Sequence, residues 1–69
     1  MRWLSEPPVA CDLCHKSITG TFVDGATRPT GIWGFMCPSC FATDGYGLGT
    51  GVGQKYELQP DGVWLKTGG

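Results

Sequence analysis

Apolar and β-branched residues fall in short runs, each closed by proline, glycine or an Asp-Gly pair, and this punctuation predicts strands and turns rather than long helices. Met1 to Leu4 is apolar enough to add a strand before Pro7-Pro8 interrupts regular structure. Ile18 to Val23 reads as a strand, Asp24-Gly25 as a turn signal, and Gly31 to Met36 as the returning strand, with an irregular connection around Arg28-Pro29. Pro38 stands where a helix begins, and Phe41-Ala42-Thr43 extends it by at most one turn before Asp44-Gly45 ends it. Glycine then occupies every second position from Gly45 to Gly53. Gln54 to Leu58 and Val63 to Lys66 form a second hairpin around Pro60-Asp61-Gly62, and Thr67-Gly68-Gly69 is expected to fray.

With 69 residues the chain sits near the lower limit at which a hydrophobic core holds a fold without a staple. One domain, residues 1–69, is expected, with its core over residues 11–56 and a C-terminal hairpin over 54–66. Twelve glycines and five prolines reinforce the preference for turns. Five basic against six acidic residues give a formal charge of −1, so the chain has no bulk attraction to phosphate backbones or anionic membranes. Arg2, Lys16, Arg28, Lys55 and Lys66 are scattered, and solvated surface is the expected role for most of them. The N-terminus lacks the apolar run of a signal peptide, and no stretch is long enough to cross a bilayer. A reducing, cytoplasmic setting is therefore expected, in which paired cysteines are metal ligands before they are disulfides.

The four cysteines form two C-x-x-C pairs, Cys11/Cys14 and Cys37/Cys40, separated by 22 residues. Each pair presents two sulfurs from one tight turn, and a hairpin between them brings the turns together as a tetrahedral four-thiolate site for one structural zinc ion. Four protein ligands leave no open position for a reacting water, which argues against metal-assisted hydrolysis. Rival patterns are weaker. Cys37-Pro38-Ser39-Cys40 resembles half of a rubredoxin iron site, but Cys11-Asp12-Leu13-Cys14 lacks the matching Pro and Gly. Cys11 to His15 also satisfies the C-x-x-C-H haem-attachment pattern, which would need export and would leave the second pair unexplained. His15 is expected either to hydrogen-bond near the metal site or to be exposed. Structural zinc contributes about 10–16 kcal/mol in small finger peptides, so the metal-free chain is expected not to fold.

No other motif carries chemistry. Gly45 to Gly53 contains neither G-x-G-x-x-G nor a Gly-Lys pair, so a phosphate loop is not supported; the glycines are expected to lie against rings or the zinc knuckle, where a Cβ would clash. Asp24, Asp44 and Asp61 each precede a glycine and are read as turn residues rather than paired catalytic carboxylates. Trp33 and Trp64 are expected in the core. The chain is not expected to be an enzyme.

The order of the first knuckle, Phe22-Val23-Asp24-Gly25, Trp33-Gly34-Phe35-Met36-Cys37, Gly47-Leu48-Gly49-Thr50-Gly51 and Gly53-Gln54-Lys55-Tyr56 resembles small zinc-ribbon proteins of tailed phages and prophages. The likeness covers Cys11 to Tyr56 and implies a zinc module working in a bacterial cell. The expected fold is small, metal-stabilised and mainly β, a zinc ribbon or treble-clef-like arrangement of two knuckles and β-hairpins. The expected function is a non-enzymatic module that binds a protein partner. The alternative is a nucleic-acid-binding ribbon, which clustering of Lys16, Arg28 and Lys55 on one face would favour.

Overall fold

The β-branched and aromatic residues of Thr21–Ala26 form strand β1, which pairs antiparallel with Trp33–Met36, β2, and on its other side with Gly53–Leu58, β3. Trp64–Gly68, β4, completes an antiparallel sheet of order β2-β1-β3-β4. Helix α1, Pro38–Asp44, follows β2 directly and packs against β1 and β2. The computed structural model describes every residue from Met1 to Gly69.

Four sequence expectations are corrected here. The first strand does not end at Asp24-Gly25 but runs through it to Ala26. Gly25 is needed for close approach rather than for a turn: a Cβ there would stand 2.8 Å from both Gly53 Cα and Val52 O. Asp24 likewise serves the strand, its carboxylate accepting the Trp33 indole N–H. Reversal comes instead at Thr27 to Gly31, where Thr27 Oγ1 donates to Ile32 O at 2.7 Å and the Arg28-Pro29 bond is cis. The helix has seven residues, about two turns rather than one, which favours the treble-clef-like form over the ribbon. Thr67 and Gly68 belong to β4, with Gly68 opposite Lys55.

The alternating glycines answer two separate demands, and none lies against the knuckle. A Cβ on Gly45 would strike the Phe41 ring, whereas Gly51, at φ +78 with open space around it, is set by backbone conformation alone.

Aromatic rings fill one face of the sheet. Phe22 and Tyr56 are cross-strand partners whose rings stack at 5.3 Å, and Trp3 meets Phe22, Phe35 and Tyr56 edge-on at 5.2 to 5.6 Å. Phe22 is fully buried and Tyr56 nearly so. Val23 and Met36, paired across β1 and β2, are buried on the opposite face, as the two-residue period of a strand requires. Trp3 reaches the cluster because the N-terminal segment lies along β4, with Trp3 N–H donating to Trp64 O and Lys66 N–H to Met1 O. Of the expected core tryptophans, Trp64 is half-buried and touches Phe22, while Trp33 is about half exposed at 49%.

Candidate metal centre

The first knuckle is a tight turn closed by its own backbone: Cys11 N–H donates to Lys16 O and His15 N–H to Cys11 O, each at 2.9 Å. His15 pays the conformational cost, adopting φ +64, a left-handed geometry that residues with a Cβ seldom take. The second knuckle straddles a helix start. Cys37 is the N-cap of α1 and accepts Phe41 N–H at its carbonyl, Pro38 occupies the first turn where a missing N–H costs nothing, and Cys40 follows one turn on. This helix buries none of its residues, has no side-chain cap and is too short to persist alone, so its anchorage falls to the two cysteines and the strands beneath.

Asp12 joins the two knuckles. Its N–H donates to Phe35 O and its Oδ2 accepts Phe35 N–H, both at 2.8 Å. That docking brings all four sulfurs within 4.8 Å of one another, with Cys14 Sγ and Cys37 Sγ 3.7 Å apart. A tetrahedron with metal–sulfur bonds of about 2.3 Å has edges of about 3.8 Å, whereas a disulfide needs about 2.05 Å. The spacing fits four thiolates around one cation and not two S–S bonds, and all four cysteines are free. No family model, curated protein or solved structure matches this chain.

Electrostatics within the cluster point the same way. Cys11 is almost completely buried, which by itself would push its thiol up. Backbone N–H groups of Cys14, Cys37 and Leu13 outweigh the burial and lower it from 9.0 to about 6. Cys40 moves in the opposite direction, pushed up to about 12 by burial, by hydrogen bonds with Cys11, Cys14 and Cys37, and by the charge on Cys11. Such a cluster accepts one thiolate readily and resists the next. A divalent cation at its centre supplies the charge that allows both to ionise together.

Each cysteine predicted from the spacing is therefore at the centre. Cys11 is buried, Cys37 and Cys40 are half-buried, and Cys14 is exposed. His15 is exposed and stands outside the sulfur cluster. Asp12 was not singled out from the sequence, because its partner lies 23 residues away and nothing local signals the pairing. Of the three cations that would favour a nucleic-acid surface, Arg28 and Lys55 have partners within the chain and Lys16 is exposed. Arg28 lies 4.8 Å over the Tyr46 ring and donates to Gly45 O, and Lys55 is 4.0 Å from Glu57.

Proposed function

We propose that this chain is a non-enzymatic interaction module in which one structural zinc ion, held by Cys11, Cys14, Cys37 and Cys40, fixes a surface for a protein partner. The carrying observation is the convergence of four cysteine sulfurs within 4.8 Å of one another, Cys14 and Cys37 at 3.7 Å. A set of four protein thiolates suits zinc and fills its coordination shell, so the ion braces the fold instead of activating water. Its reach is structural: the site joins the knuckle before β1 to the helix after β2, and so braces a sheet whose core is only a handful of rings. We place the module with the phage and prophage zinc-ribbon proteins that it resembles, working in a reducing cytoplasm where the thiolates stay available. No helix is long and apolar enough to cross a membrane. The nucleic-acid alternative draws little support, since Arg28 and Lys55 are engaged within the chain and the formal charge is −1.

Native mass spectrometry with and without a chelator, followed by pull-down from a bacterial lysate, tests the proposal. One zinc per chain and a captured protein are expected. Iron in place of zinc, an organic substrate turned over, or a nucleic acid as the sole captured species would overturn it.

A further inference from the structure

One concave feature is explained neither by the cysteine centre nor by the sheet. A groove of about 300 Å³ lies between the N-terminal segment and the turn entering β4, lined chiefly by Arg2, Trp3, Leu4, Pro7, Val63 and Trp64. That is the low end of the range for ligand pockets, suited to a few residues of peptide rather than to a large cofactor.

The hydrogen-bonding capacity of the side chains along the groove is lopsided. Trp3 Nε1 already donates to Glu6 O at 3.1 Å. Trp64 is half-buried and its indole N–H has no partner in the protein, yet no buried polar side-chain atom is left unpaired, so this N–H reaches solvent. Arg2 is exposed, and the chain's single ion pair, Lys55 with Glu57, does not include it. Indole and guanidinium groups donate and never accept. Among the lining side chains only the hydroxyl of Ser5 accepts. The side chains of the groove therefore offer aromatic rings and donors, which suits a ligand rich in acceptors and poor in N–H groups.

We propose that this groove binds a proline-rich segment of a protein partner in the polyproline II conformation, with an acidic residue of that segment meeting Arg2. Proline brings no N–H that would demand an acceptor, and a polyproline II helix has no internal hydrogen bonds, so its carbonyls are open to the Trp64 indole. Pyrrolidine rings pack flat against indole, and the ligand is ordered before it binds. An ordinary extended peptide would bring a donor at nearly every residue to a groove with one accepting side chain, Ser5. The inference rests on the reading of the chain as a protein-binding module, and adds to it the surface used and the chemistry of the partner.

The test uses the zinc-loaded full chain with isotope-labelled tryptophan, titrated with a short acetylated oligoproline peptide ending in glutamate. A saturable shift of the Trp64 indole N–H signal is expected. Trp64→Phe keeps a ring against Phe22 but removes the donor, and it should weaken binding about fivefold, the equivalent of one neutral hydrogen bond. Arg2→Ala should weaken binding and flatten its salt dependence. Absence of a saturable shift at millimolar peptide, equal binding of a Gly-Ser peptide ending in glutamate, or preference for oligothymidylate would overturn the inference. So would full retention by Trp64→Phe of a partner captured in the pull-down, a result under which the module reading itself would stand.

Discussion

Asp12 and Phe35 hold each other twice, the main-chain N–H of Asp12 donating to the Phe35 carbonyl while Asp12 Oδ2 accepts the Phe35 N–H. Phe35 lies two residues before Cys37 and Asp12 immediately after Cys11, so the clamp sets the spacing of the knuckles from outside the sulfur cluster. Asp12→Ala is expected to cost about 1–2 kcal/mol of stability, because a hydrogen bond to a charged acceptor is lost at a partly solvated site. Asp12→Asn, which keeps a carbonyl oxygen, should lose less than half of that. Chelator competition and thermal melts of both variants measure the difference, and equal losses would mean that charge rather than geometry matters.

Metal removal should unfold the chain. Helix α1 buries no residue of its own and the core is a few rings on one face of a short sheet with Val23 and Met36 on the other, so the cation's contribution of about 10–16 kcal/mol exceeds the stability of most small domains. Circular dichroism during titration with a chelator is expected to show cooperative loss of structure, and Cys37→Ser should behave like the chelated protein. A cooperative melt retained by either one would contradict a structural metal.

Acid should release the metal, and the sign follows from the thiols. A cysteine binds the cation only after losing its proton, so protons and metal compete and falling pH favours release. Cys40, pushed up to about 12, is a thiol at neutral pH until a cation displaces its proton, and metal uptake there releases acid. Cys11, lowered to about 6, holds its charge further into the acid range than an ordinary cysteine. Release monitored with a zinc-sensitive dye is therefore expected to increase as the pH falls below neutrality. Complete release at neutral pH would show that the sulfurs do not act as one site.

His15→Gly should stabilise the protein. The left-handed conformation of His15 costs about 1 kcal/mol or more for a side-chain-bearing residue, and relief of that strain outweighs the extra freedom of glycine in the unfolded chain by about 0.5 kcal/mol. His15→Val, β-branched at the same φ, should be clearly destabilising. Melting temperatures of the two zinc-loaded variants check the ranking, and loss of zinc from His15→Gly would instead make the imidazole a ligand.

The cysteine quartet and both hairpins were legible from spacing and punctuation, because C-x-x-C turns and Pro-Asp-Gly reversals are local events. Long-range demands were not. Asp24-Gly25 carries the residue pair of a turn, yet the close approach of β3 to β1 calls for a glycine at that point in mid-strand. Met1 to Leu4 reads as a segment able to add a strand, yet it makes only an isolated bridge at Arg2, and the place of Trp3 against Phe22, Phe35 and Tyr56 depends on β4, some sixty residues later in the chain. The helix outruns its weak local signal because strands and cysteines hold it at its start. Left-handed His15 was hidden for another reason, since closure of the knuckle overrides the residue's own preference.

Both flanks of the sheet meet something other than bare water. Along β4 the N-terminal segment contributes two main-chain hydrogen bonds, and at β2 the Asp12 clamp occupies the outward N–H and carbonyl of Phe35. A strand flank left open is the usual template on which copies of a β-protein stack into aggregates. Here the N-terminal segment and the clamp blunt that template on both sides of a sheet of only four strands, and leave the tryptophan-lined groove as the open surface.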